Sequence, residues 1–179
     1  MKGYFAVIML FLALSCKKHS SQADNTCPDY KKGYVIVGLK NTVPIEQAFS
    51  FVDSNNLSIE SMSGFFYTNP YPEDSLPGLI SYLDTKPYIN AKGFHANAYI
   101  NHQTGLLTIA STLYNMDLAS QHDWVNMANQ LQLTDLNNDT KYMILLVPDG
   151  MENYWVTTFL HNDQVKWAEL NCILQADPF

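Results

Sequence analysis

Three stretches of the chain carry apolar residues at helical spacing. Ile45, Ala48, Phe49 and Val52 fall at i, i+3, i+4 and i+7, which is one face of a helix. Leu76, Leu79, Ile80 and Leu83 repeat that spacing, and so do Trp124, Met127, Ala128 and Leu131. The boundaries carry their own signals. Pro44 opens the first helix and Asn55-Asn56 ends it. Asp74 or Ser75 caps the second, with Pro77 in its first turn, and Lys86-Pro87 closes it. Ser120-Gln121-His122-Asp123 resembles a capping box before the third. A helix with a single apolar face needs another layer to bury it.

The sheet supplies that layer. Residues 34–39, β-branched at Val35, Ile36 and Val37, read as a strand, and 57–67 as a second with Gly64 as a bulge. Residues 94–101 and 106–113 form a hairpin around His102-Gln103-Thr104-Gly105. Residues 134–140 are a polar loop, and 142–147 a strand. Pro148-Asp149-Gly150 then turns the chain into a strand at 154–160, which pairs as a C-terminal hairpin with 165–174. The expected architecture is a single α+β domain. It has a largely antiparallel sheet of about seven strands with three short amphipathic helices on one face. The helix–strand–turn–strand stretches beginning near Leu76 and near Trp124 have similar lengths, as a diverged repeat would.

The first residues follow a different pattern. Met1-Lys2-Gly3 precedes an apolar run from Tyr4 to Leu14, then Ser15 and Cys16. A positive start, a short apolar core and a small residue before the cut site make a secretory signal. The run is too short to cross ~30 Å of hydrocarbon. Leu12-Ala13-Leu14-Ser15-Cys16 resembles the lipobox of bacterial lipoproteins, with Ala13 and Leu14 departing from the usual order of Leu then a small residue. The resemblance covers residues 1–16. It implies cleavage before Cys16 and acylation of its thiol, an attachment worth ~0.8 kcal/mol per buried CH₂. Lys17-Lys18 stand where an inner-membrane retention Asp would, which in a Gram-negative cell points to the outer membrane, on either its periplasmic or its surface side. The expected parts are therefore a signal peptide at 1–15, a lipidated Cys16 and flexible tether at 16–29, and a globular domain at 30–179.

Composition narrows the function. Hydrophobic residues make up 47% of the chain and aromatics 13%, enough for a core. The net charge is −7, and all ten basic residues are Lys. An acidic chain without Arg is a poor match for nucleic acid, whose binding runs on phosphate neutralisation. With Cys16 lipidated, Cys27 and Cys172 remain as an even pair in an oxidising compartment. A disulfide between them would close a loop of about 145 residues, worth about 5 kcal/mol in the chain-entropy account. The other reading is two separate thiols.

Catalytic and cofactor signatures are missing. There is no Gly-rich phosphate loop, G-x-S-x-G, H-E-x-x-H or C-x-x-C, and no cofactor or metal is expected. Asp135, Asn137 and Asp139 have the spacing of a half calcium loop, but Thr140 and Leu146 replace its Gly and Glu, so a polar turn is the plainer reading. His122 and Asp123 are adjacent on a helix and point about 100° apart. His161 and Asp163 belong to a turn.

Two surfaces stand out. His95, Asn97, Tyr99 and Asn101 alternate against Phe94, Ala96, Ala98 and Ile100, giving a stripe of amides and aromatics on an open sheet face, beside Thr108, Ala110 and Thr112. Trp155 marks the C-terminal hairpin, whose two faces both carry apolar groups. The aromatic-rich loop 65–71 is either a recognition loop or a lid. These features point to a membrane-tethered, non-catalytic binding module for an envelope protein or glycan, such as an enzyme inhibitor. The alternatives are an envelope hydrolase with a dispersed site, marked by a pocket gathering His95, His102 or His122 with a carboxylate, and a structural subunit of an envelope complex.

Overall fold

The computed structural model describes residues 29–173. The signal segment, Cys16, most of the tether and Cys27 lie outside the described residues. The elements run β1 (Tyr30–Leu39), α1 (Ile45–Ser54), β2 (Ser58–Ser63), β3 (Tyr67–Asn69), a 3-10 turn (Glu73–Ser75), α2 (Leu76–Leu83), β4 (Ala98–Ile100) and β5 (Leu107–Ile109). They continue with β6 (Leu113–Met116), α3 (Leu118–Gln130), β7 (Thr134–Asp135), β8 (Tyr142–Leu146), α4 (Glu152–Leu160) and β9 (Val165–Cys172). The class is α+β with antiparallel pairing throughout, as the sequence indicates.

The strands divide into two sheets rather than one. The larger has the order β6-β2-β8-β1-β9 and the smaller β4-β5-β3-β7. The division falls inside the expected strand 57–67. Gly64 adopts φ +77°, and a Cβ there would overlap the carbonyl of Thr140. The chain turns at that point and leaves the larger sheet for the smaller one. It returns at Leu113, so the expected strand 106–113 is also shared between sheets. The hairpin itself stands, with Ala98 opposite Ile109 and Ile100 opposite Leu107. Two short additions, β6 and β7, come from residues read as strand end and loop.

The largest correction concerns residues 154–160, which form helix α4, not a strand. Their β-branched and aromatic content suits a strand, but burial follows helical spacing: Glu152, Val156 and Phe159 face inward. Among the described residues no C-terminal hairpin forms, because β9 pairs with β1 instead. The expected repeat disappears with it, since a helix replaces the second copy's last strand. A smaller correction moves the start of α3 to Leu118, where the Asp117 side chain accepts from the Ser120 N–H at 2.8 Å.

Alternation along the central strands sets the layers. Val35, Val37 and Leu39 on β1, Met143 and Leu145 on β8, and Ala168 and Leu170 on β9 face a single core. Helices α1 and α4 cover that side and meet through Phe51 and Phe159, 5.3 Å between ring centroids. On α3, Trp124 packs against Tyr67 of the small sheet and Tyr88. Tyr88 donates to Asp123 at 2.7 Å, and Lys86 pairs with the same carboxylate at 2.9 Å. That pairing holds Asp123 below the usual carboxylate range.

Glu152 opens α4 and is itself buried. Its carboxylate accepts the Gly33 N–H at 2.7 Å, which pins α4 to β1 and holds its pKa below the usual glutamate range. A carboxylate depressed in the folded state stabilises the fold above its unfolded pKa and loses that contribution as pH falls through the folded value. Glu152→Gln should therefore flatten the acid side of a stability–pH curve while leaving its slope near neutrality unchanged. Urea midpoints taken from pH 7 down to 3 check this, and parallel curves for the two proteins would refute it.

Candidate functional site

One concave feature lies between α1 and α3; another, of about 550 Å³, lies between α1 and the turn that carries His161 and Asp163. The first, a groove of about 510 Å³, is lined by Asp53, Leu57, Ser58, Ile59, the segment 115–119 and Gln121. It runs into a second hollow of about 250 Å³ that adds Glu46, Phe49, Ser50, His122 and Val125, the two sharing Asp53, Leu118 and Gln121. Helical periodicity builds the walls. The core faces of both helices point at the sheet, so their flanks are left to form the cleft. Leu118, at the first position of α3, stands 60% exposed at its mouth. Gln121 is buried and braces the floor by donating to the Met116 carbonyl at 3.1 Å and to Asp53 at 3.4 Å. Glu46, Asp53 and Asp117 make the groove acceptor-rich and negative. Asp117 is the helix cap, and the bonds it accepts hold its carboxyl low.

His122 lines the same hollow as Glu46 and Asp53. His122 makes no hydrogen bond to either, and the Ser50 hydroxyl donates back to the Glu46 carbonyl at 2.9 Å. A nucleophile activated by a base is therefore not assembled. Asp123 points elsewhere, to Lys86 and Tyr88, as adjacency on a helix requires.

A second feature is the outer face of the larger sheet. The register sets Tyr34 opposite Leu146, Ile36 opposite Ile144 and Gly38 opposite Tyr142, with Glu169 and Trp167 beside Ile36 and Gly38 on β9. Ser58, Ser61, Ser63 and Tyr114 continue that face over β2 and β6. The Trp167 indole fills the space a Gly38 Cβ would need, so only glycine fits beneath it.

The residues singled out from the sequence do not converge. His95, Asn97 and Tyr99 are all exposed along β4 and the segment before it. The His95 imidazole lies 3.3 Å from Asp84, but it is 68% exposed and lines none of the hollows described above. Asn101 serves its turn, accepting from the Gln103 N–H at 2.9 Å. Phe94, expected in the core, is exposed and stacks on Tyr114 at 5.5 Å. Thr108, expected beside an open stripe, is buried. Trp155 sits on α4 against Tyr154 and Phe159, in another part of the fold. Loop 65–71 is partly β3, with Phe65 and Tyr67 in the core, so it is neither a lid nor a free loop. The half calcium loop resolves into structure: Asp135 accepts the Asn137 N–H and pairs with Lys141, while Asp139 pairs with Lys166. Among the described residues no cluster of His, Cys, Asp or Glu is arranged to hold a metal.

Fold and cleft together define a two-sheet α+β domain with an acidic groove between helices. No protein family, curated protein or solved structure matches the chain.

Proposed function

We propose that the chain is an envelope lipoprotein, anchored through Cys16, whose domain is a non-catalytic binding module. Its ligand site is the groove between α1 and α3. The observation that carries this reading is the exposed Leu118 set among Glu46, Asp53 and Asp117. An apolar contact ringed by acceptors suits a protein segment bearing Lys or Arg beside an apolar side chain, and the domain of a secreted enzyme is one such partner. A glycan, the other ligand class, has fewer groups to answer three carboxylates. The outer membrane is the proposed location, on the evidence of Lys17-Lys18 after the anchor.

In-cell crosslinking and mass spectrometry of the tagged, lipidated protein test this, beside an Asp53→Lys/Leu118→Ser variant. A stoichiometric protein partner lost in the variant is the expected result. Retention there and loss in Tyr99→Ala would move the site to β4. In the same cells, Cys16→Ala should leave the membrane fraction for the soluble one.

A Cys27–Cys172 disulfide belongs to this reading. Tyr30 pairs with Cys172 across the sheet, three residues from Cys27, and Cys172 is not free. Thiol titration of the unfolded, unreduced domain should find none, whereas two reactive thiols would end the proposal.

The hydrolase reading keeps one observation, the presence of His122, Glu46, Asp53 and Ser50 around one hollow. Hydrolysis of peptide or ester probes by the purified protein, abolished in His122→Asn, would establish it in place of the binding module.

A further inference from the structure

We infer that the outer face of the five-stranded sheet rests on the membrane interface to which Cys16 tethers the domain. The inference depends on the anchor reading above. Three observations carry it: the composition of the face, the charge at its rim, and the length of chain leading to it.

The centre of the face is apolar and aromatic. Ile36, Ile144 and Leu146 lie between Tyr34, Tyr142 and Trp167, and Trp167 is 37% exposed although its ring covers Gly38. Aliphatic groups flanked by Tyr and Trp are what the headgroup boundary of a bilayer accepts, because the ring body enters the apolar layer while its hydroxyl or indole N–H stays hydrated. Lysines stand beside the aromatics. Lys31 lies 3.5 Å from the centre of the Tyr34 ring and Lys92 5.2 Å from that of Tyr114. The Lys31 ammonium sits where a phosphate would be met, on a stem long enough to reach it, while that of Lys92 is taken up by Glu60. Among the residues that the register pairs on this face, Glu169 is the only charged one. The nearby Glu60 is paired with Lys92. Glu46, Asp53 and Asp117 line the groove, away from this face.

Twelve residues separate Cys16 from Asp29, and a flexible chain of that length would reach roughly 20 Å on average. That length holds the domain close to the bilayer and lets it turn its sheet downward. β1 starts at the end of this tether and supplies Tyr34 and Ile36 to the face. With the sheet on the membrane, α1 and α3 point outward and the groove is presented to the surroundings.

The test uses full-length lipidated protein in phosphatidylcholine vesicles, part of whose lipid carries bromine high on the acyl chains, a contact quencher of tryptophan. We expect the protein to float with the vesicles and its emission to be quenched. That quenching should be lost in Trp167→Phe, which keeps Trp124 and Trp155 and floats equally well. Flotation without quenching, or quenching that persists in Trp167→Phe, overturns the seating and leaves the anchor intact. Failure to float overturns the anchor, and the seating falls with it. A Trp167 that acrylamide cannot reach and bromine does not quench is covered by protein, which also refutes the inference.

Discussion

Lys141→Ala should lower the unfolding free energy by about 3–5 kcal/mol, the range for breaking a buried ion pair by removing one partner. The Lys141 side chain is fully buried and immediately precedes β8. Its ammonium donates to the Asn41 carbonyl at 2.8 Å, the Val43 carbonyl at 2.9 Å and the Asp135 carboxylate at 2.7 Å. One cation thus ties the β1–α1 connection and β7 to β8. Alanine would leave two carbonyls and a mostly buried carboxylate without their donor, and would add a cavity where the butyl stem lay. Lys141→Met combined with Asp135→Leu should recover the share due to the carboxylate and the cavity, but not that of the two carbonyls, which stay without a donor. Urea denaturation decides it. A loss below about 1 kcal/mol in Lys141→Ala would mean that water replaces the ammonium freely.

Gly64→Ala is expected to cost about 2–5 kcal/mol, combining a left-handed backbone with an overpacked site. Its φ of +77° disfavours any side chain, and a Cβ would press on the backbone of Thr140 and Lys141, which cannot swing away. Gly93 and Gly105 separate the two costs. They have φ of +78° and +68°, but a Cβ at either meets nothing within 4 Å. Alanine there should cost only the backbone share, about 1 kcal/mol. Equal losses at all three glycines, measured by urea midpoint, would show that contact with Thr140 contributes nothing.

Elements with a strong local period were readable from the sequence. The apolar spacing placed α1 and α2 closely, and the hairpin around Gly105 was visible in its turn. Residues 154–160 misled because Tyr154, Trp155, Val156, Thr157 and Thr158 suit a strand locally. What makes them helical is tertiary: the carboxylate of Glu152 bonding to Gly33, and Phe159 meeting Phe51. Nothing near Gly64 in sequence reveals Thr140, so the division into two sheets was hidden as well. The candidate groove was out of reach for a related reason. Glu46 and Asp53 lie off the apolar face of α1, and Leu118 lies outside all three helical patterns, so only the packing of α1 beside α3 brings them to one groove. The outer face was legible only in fragments, because its two-residue alternation is spread over five strands whose order no single strand reveals.

The position of β1 has a kinetic consequence. It is made first, yet its partners β8 and β9 are made last: Val35 pairs with Leu145 and with Leu170. Loops of that length must close before the central ladder gains any bonds, so the fold has high contact order and should form slowly, without a stable N-terminal intermediate. On the proposed envelope location, where the chain would cross a membrane unfolded, that delay would be useful: until the final strand had been delivered there would be no finished sheet to jam the export channel.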